Sequence, residues 1–162
     1  MSTAASRHRS EPLRVVLMGV AGCGKSVVGA ALSARLGVPY RDGDDLHPAA
    51  NIAKMSRGDP LTDDDRWPWL FQVGATLAGS EPMIVGCSSL KRRYRDAIRE
   101  RAGAAVTFVH LAGSRAVIEK RMTARTGHFM PTSLLDSQFA TLEPPGRDER
   151  AVTVDIDQTV EA

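Results

Sequence analysis

Apolar residues fall along this chain in short blocks separated by longer stretches with helical spacing. Leu13 to Met18 (LRVVLM) is an apolar run that ends at a glycine, the pattern of a strand buried on both faces. Met83 to Cys87 (MIVGC) and Val106 to Leu111 (VTFVHL) repeat it, Pro39 to Asp42 has room for a brief strand, and Ala151 to Ile156 alternates with acidic residues. Between these blocks, Lys25 to Leu36 carries apolar residues at helical spacing and stops at Gly37, a good C-terminal cap. Ala49 to Arg57, Asp63 to Ala78, Lys91 to Arg101 and Arg115 to Thr126 read as further helices. Thr62 followed by Asp65 makes a capping box ahead of the second of these. Strands alternating with helices predict an α/β fold, a doubly wound five-stranded parallel sheet with helices on both faces.

Composition narrows the picture only a little. A chain of 162 residues is expected to form one domain, 13–162, behind a disordered polar tail, 1–12. With 43% hydrophobic and 25% charged residues it reads as an ordinary globular protein. A formal net charge of +2 makes no case for nucleic acid or membrane partners, and no apolar run approaches the roughly 18 residues of a membrane span. The tail has Arg7, His8 and Arg9 but no apolar segment before a cleavage site, so it does not read as a secretory signal. Cys23 and Cys87 form neither a disulfide framework nor a metal-ligand cluster, which points to a reducing cytoplasm.

The chemistry starts where the first strand ends. Gly19-Val20-Ala21-Gly22-Cys23-Gly24-Lys25-Ser26 fits G-x-x-x-x-G-K-[ST] at every fixed position. Glycines let successive N–H groups point inward at a phosphate, and the following helix aims its N-terminal dipole at the same anion. Lys25 is placed to reach the β and γ phosphates, and the Ser26 hydroxyl to ligate Mg²⁺. A chance glycine-rich turn would lack the preceding strand and the following helix, and both are here. The third strand closes on Cys-Ser-Ser without the carboxylate usual at that place. Asp42-Gly43-Asp44-Asp45, after the short second strand, lies where such sheets bind ligands and supplies carboxylates instead. One can hold a magnesium-bound water, and another can orient an acceptor hydroxyl. Standing alone, the same cluster reads equally well as a turn and helix cap.

Taken together, these features resemble the bacterial gluconokinases of the small P-loop type, relatives of shikimate kinase and the nucleoside monophosphate kinases. The matching blocks are MGVAGCGKS, DGDDLHP, NIAKM, PLTDDDRWPWL, CSSLKRRYRD, TARTGHF, QFATLEPP, DER and VDIDQ, from about Leu13 to Gln158. DGDDLHP and PLTDDDRWPWL discriminate, because shikimate and monophosphate kinases do not normally carry them. The resemblance implies transfer of a phosphoryl group from ATP to D-gluconate, giving 6-phosphogluconate, by a cytoplasmic homodimer. It also implies that Gly19 to Ser26 bind the triphosphate, that Asp42 holds the magnesium-bound water, and that Asp44 meets the acceptor hydroxyl. His47 would hydrogen-bond a sugar hydroxyl. Lys54, Arg66 and Arg95 would be the cationic positions on the substrate side, with the direct contact to the carboxylate left open among them. Arg121, Arg125 and His128 would belong to a mobile lid, about 125–137, that brings a cation to the transferring group. Cysteine at position 23 replaces the serine, alanine or threonine frequent in that family, and only its backbone N–H is needed. Family members continue past VDIDQ into a last helix, so less cover is expected over the sheet and the adenine side here.

Competing readings stand beside these. Arginines such as Arg92, Arg93, Arg99 and Arg101 read as solvated or locally paired, and Trp67 and Trp69 as core. His110 reads as a packed, hydrogen-bonded core histidine, and Lys91-Arg92-Arg93 as a solvated face without the aromatic platform of a nucleic-acid site. The rival functions are another small-molecule kinase of this fold, acting on shikimate or a nucleoside monophosphate, and a nucleotide-binding module that transfers nothing. The discriminating blocks argue against the first, and the second has no switch segment to support it.

Overall fold

The computed structural model describes residues 12–59, 61–126 and 132–158, with side chains in the flanking helices up to Arg121 and from Leu135. Strand β1 (Arg14–Met18) lies at the centre of a five-stranded sheet with β2 (Tyr40–Asp42), β3 (Met83–Gly86), β4 (Thr107–Ala112) and β5 (Ala151–Asp155). The order is β2-β3-β1-β4-β5, and every pair is parallel. On one side of β1, Leu17 stands opposite Gly86 of β3; on the other, opposite Val109 of β4. The chain leaves β1 for β2 at one end of the sheet and later crosses to β4, so the strand order reverses at the carboxyl end of β1. In open α/β sheets that switch point is where ligands bind.

The uninterrupted apolar run of β1 follows from its burial on both faces. Val16 and Met18 enter one core with Val85, Phe108 and Leu70, Val73 and Leu77 of α3 (Asp63–Leu77) and Ile98 of α4 (Arg92–Ala102). Val15 and Leu17 enter the opposite core. There they meet Ile84, Leu111, Val28 and Leu32 of α1 (Lys25–Leu36), Ile118 of α5 (Arg115–Thr126) and Leu135 of α6 (Thr132–Thr141). Helix α2 (Ala49–Ser56) links β2 to α3. Each fully buried Leu or Ile in these layers contributes about 1.5–3 kcal/mol. The doubly wound architecture is therefore the one the sequence predicts.

Local detail agrees in some places and departs in others. The capping box is present: Asp65 N donates to Thr62 Oγ1 at 3.2 Å, and Thr62 N donates to Asp65 Oδ2 at 2.8 Å. His110 is buried as expected, but its Nδ1 has no hydrogen-bond partner among the described residues, so the hydrogen-bonded part of that reading is corrected. The segment expected as a lid, about 125–137, is in part helix: α5 runs to Thr126 and α6 starts at Thr132. Residues 127–131, with His128, lie outside the described residues, as does most of the tail assigned to 1–12.

Candidate active site

The phosphate loop joins β1 to α1 and depends on backbone angles that a side chain would oppose. Gly19, Gly22 and Gly24 have φ of 150°, 82° and 99°. A Cβ on Gly19 would stand 2.9 Å from the Leu111 carbonyl oxygen, so the loop start is pressed against β4. Gly19 N donates to Ser88 O at 3.3 Å and Cys23 N to Val20 O at 3.2 Å. Cys23 is fully buried in the core, and burial raises its thiol pKa against the pull of Lys25. Its side chain is therefore part of the packing. Lys25 Nζ folds back to donate to Gly19 O at 3.0 Å and Val20 O at 3.3 Å.

The acidic cluster forms a turn. Asp42 caps a single 3-10 turn (Gly43–Leu46) by accepting from Asp44 N at 2.9 Å, so the turn-and-cap reading holds for Asp42. Gly43 is there because β2 and β3 converge: a Cβ on it would lie 2.4 Å from Gly86 O. Trp69 Nε1 donates to Gly43 O at 2.8 Å and ties the turn to α3. Asp44 faces solvent, yet enclosure by the cleft and the charge of Asp42 push its carboxyl pKa up while Lys25 opposes them. The Tyr40 hydroxyl is buried, and among the described residues it has no partner that meets hydrogen-bond geometry. Burial and then Asp42 raise its pKa, and the Ser26 hydroxyl beside it works the other way. Ser26, Lys25, Asp42 and Asp44 thus share one locale at the carboxyl end of β1. Among the described residues, no three His, Cys, Asp or Glu side chains stand together as a ready-made metal cage.

A second group forms between α2 and α3. Lys54 Nζ pairs with Asp65 Oδ2 at 2.6 Å, so the carboxylate that closes the capping box also holds a cation. The Lys54 bond, then the Thr62 N–H, hold the Asp65 carboxyl at about 2. Arg66 Nη1 donates to Tyr94 Oη at 3.3 Å and lies 3.6 Å from Asp63. His47 stacks on Trp69 with ring centroids 4.1 Å apart, and Asn51 Nδ2 lies 3.2 Å from its Nδ1. Burial, then the Arg66 charge, lower the His47 pKa and so favour the neutral ring. Trp69 is buried core, as the sequence indicates, and it is His47 that stacks on it.

Arg95 is elsewhere, and the expectation that it faces the substrate is corrected. It is fully buried, and its guanidinium is bidentate to Glu149 at 2.7 and 3.0 Å. It also donates to Ser89 O at 2.9 Å, Leu90 O at 3.3 Å and Glu143 O at 2.9 Å. Nothing remains of it to meet a ligand. Its helical position carries the signal: Arg95 shares a face of α4 with the buried Ile98 and Ala102. Arg99 adds a bond to Glu149 at 2.6 Å. Burial pushes the Glu149 carboxyl up, but Arg95, Arg99 and the Gly146 N–H outweigh it and hold it at about 2. The clamp keeps Ser89 at φ 38°, an uncommon angle for a side-chain residue, in the turn that bonds the phosphate loop. Arg121 donates to the carbonyls of Ile156 and Gln158 at the end of β5. The backbone of Arg125 lies in α5.

Sequence reasoning passed over Glu149, Asn51 and Gln138. Gln138 sits on α6, and its Oε1 accepts from Ala21 N of the phosphate loop at 3.0 Å.

Residues 15–145 match the family model described as an AAA domain. The thermoresistant gluconokinase of Escherichia coli (strain K12) is 46% identical over 151 residues, covering 90% of this chain and 86% of that protein. A crystal structure of a gluconokinase from Sinorhizobium meliloti 1021 superposes with a TM-score of 0.87 at 54% identity, covering 94% of this chain and 87% of the other. Shikimate kinase from Aquifex aeolicus, at 16% identity and a TM-score of 0.55, shares the fold alone.

Proposed function

We propose a division of labour among the site residues of this chain, which belongs to the gluconokinase family of P-loop kinases and phosphorylates D-gluconate with ATP. The observation that supports the division is the juxtaposition of the phosphate loop with the Asp42–Asp44 turn at the switch point of the sheet.

In this reading the loop from Gly19 to Ser26 cradles the triphosphate through the amides that its internal contacts leave free, and Lys25 leaves the carbonyls of its own loop for the β and γ phosphates. Asp44 orients the acceptor hydroxyl and takes its proton, a role that its raised pKa suits. His47, Lys54 and Arg66 form the gluconate side, with Lys54 and Arg66 as the cations for its carboxylate. Arg95 is a structural residue. The Ser26 hydroxyl and the Asp42 carboxylate are hard oxygen donors that fit Mg²⁺, and the crowding of Asp42 against Asp44 is a repulsion that a cation would relieve. Bound there, Mg²⁺ would neutralise charge on the transferring phosphoryl group. Residues 13–162 as one kinase domain, a lid within about 125–137 served by Arg121, Arg125 and His128, a cytoplasmic setting and a homodimer belong to the same proposal and rest on the family resemblance. No helix among the described residues is long and apolar enough to cross a membrane.

The test is ADP release measured with gluconate, shikimate or no acceptor, each with and without Mg²⁺. Gluconate- and Mg²⁺-dependent release is expected. Release that follows shikimate, or that ignores Mg²⁺, would refute the substrate or the metal assignment respectively.

A further inference from the structure

Gln138 is attached to the phosphate loop through one of its two amide ends, and the other end has no partner among the described residues. Its helix is fixed in place. Leu135 is 2% exposed and shares a core with Val20, Cys23 and Leu90, and Phe139 packs against the same cluster. Just beyond the helix, Glu143 N donates to Leu90 O at 2.7 Å, and Glu143 O is gripped by the buried Arg95. A side chain on this face of α6 therefore has a defined position.

The contact itself settles which way the amide points. Ala21 N is a donor, so the atom that meets it at 3.0 Å is the amide oxygen, and Nε2 must face away from that N–H. Nε2 has no hydrogen-bond partner among the described residues, so both of its hydrogens are available. Ala21 directly follows Gly19 and Val20 in the loop, whose carbonyls Lys25 Nζ now holds. That is the end of the loop served by the lysine, hence the end of the β and γ phosphates.

We propose that Gln138 is a catalytic residue: anchored through Oε1 on the phosphate loop, it donates from Nε2 to an oxygen of the γ-phosphoryl group of ATP. The proposal rests on the kinase reading above and extends it to a residue outside the loop motif. A neutral donor fixed by the protein stabilises the charge of the transferring group without having to reorganise, and it does not compete with Lys25 for space as a second cation would. ADP has no γ-phosphoryl group and leaves the donor idle. Gln138 should therefore distinguish the two nucleotides.

Two substitutions separate the anchor from the donor. Gln138→Met keeps the length and the helix preference and loses both. Gln138→Glu keeps an acceptor for Ala21 N but offers no donor. Affinities for ADP and for a non-hydrolysable ATP analogue, measured by calorimetry at one fixed Mg²⁺ concentration, should show the preference for the analogue over ADP falling about tenfold in both variants. ADP affinity of Gln138→Met should stay within about twofold of the parent, with kcat down about ten- to a hundredfold. An unchanged preference in either variant overturns the proposal. So does an equal loss for both nucleotides in Gln138→Met, which would mean that the residue only braces α6. The affinities do not depend on the acceptor, so a parent protein that ignored gluconate would refute the substrate and leave the Gln138 result readable.

Discussion

Two charged clusters meet at the turn after β3, and they use their hydrogen-bonding capacity in opposite ways. On the phosphate-loop side, Lys25 makes do with carbonyls of its own loop, Asp44 faces water beside a second carboxylate, and Gln138 has an amide end without a partner among the described residues. On the other side, Arg95 is fully buried with its donors shared among Glu149 and three carbonyls, and Arg99 and Gly146 complete the carboxylate. Buried charge is tolerated only when paired and hydrogen-bonded, whereas a site that must receive a ligand has to keep capacity in reserve. Both clusters are rich in charge, but only the first has anything left to offer a substrate. Substitutions in the first should cost rate, and substitutions in the second should cost stability.

The largest effect should come from the open cluster. Lys25→Ala removes the point charge that spans the β and γ phosphates and is expected to lower kcat about 10³-fold or more. Asp44→Asn keeps the shape but cannot take the proton of the acceptor, and should lower kcat about 10²-fold with a smaller change in KM for ATP. Neither should shift the thermal unfolding midpoint appreciably, since neither side chain is part of the core. Steady-state kinetics set beside a melting curve checks both. A clear drop in melting temperature would break the contrast between the two clusters.

The closed cluster should respond the other way. Glu149→Gln leaves the buried Arg95 charge without its counter-ion and is expected to cost about 3–5 kcal/mol in urea unfolding at neutral pH. The pH dependence has a definite sign. Glu149 is held at about 2 against an ordinary value of 4.5, so the folded state binds fewer protons than the unfolded one between those limits. Its contribution, on the order of 3 kcal/mol, is complete above about pH 4.5 and is lost as the pH falls toward 2. Glu149→Gln should flatten that part of the stability profile. If the two profiles stay parallel, Glu149 is not the group that titrates.

What the sequence could show follows from the same contrast. The phosphate loop is legible because its function constrains backbone angles, and glycines at fixed spacing record those angles directly. The order of strands and helices is legible because β1 is apolar at every position that packs. Arg95 is harder to read. In RRYRDAIRER five of the ten residues are arginines, and only the one in line with Ile98 and Ala102 is buried. Its partner Glu149 is far away in sequence, so no local spacing could pair them. Gln138 is hidden for a similar reason: the group it serves is a backbone N–H on Ala21, which leaves no mark on residue type. The acidic turn lies between these cases, since Asp42 both caps the turn and lies with the site residues, and either role explains its presence.

The smallest expected effect tests the link between the acidic turn and the core. Trp69 touches the site only indirectly: Nε1 donates to Gly43 O at 2.8 Å while the indole face stacks on His47. Trp69→Phe keeps an aromatic body for the stacking but has no donor, so the Gly43 carbonyl loses its partner in a buried place. A cost of about 1–2 kcal/mol in unfolding free energy is expected from that loss. The kinetic consequence should be selective. Asp44 follows Gly43 directly, so a looser turn would place its carboxylate less well and lower kcat a few-fold, while the phosphate loop and KM for ATP stay as they were. Urea unfolding and gluconate saturation curves on the same preparation decide it. If stability falls while kcat and KM for gluconate are unchanged, the close approach of Gly43 to Gly86 holds the turn by itself, and the indole belongs to the closed, structural side of the comparison.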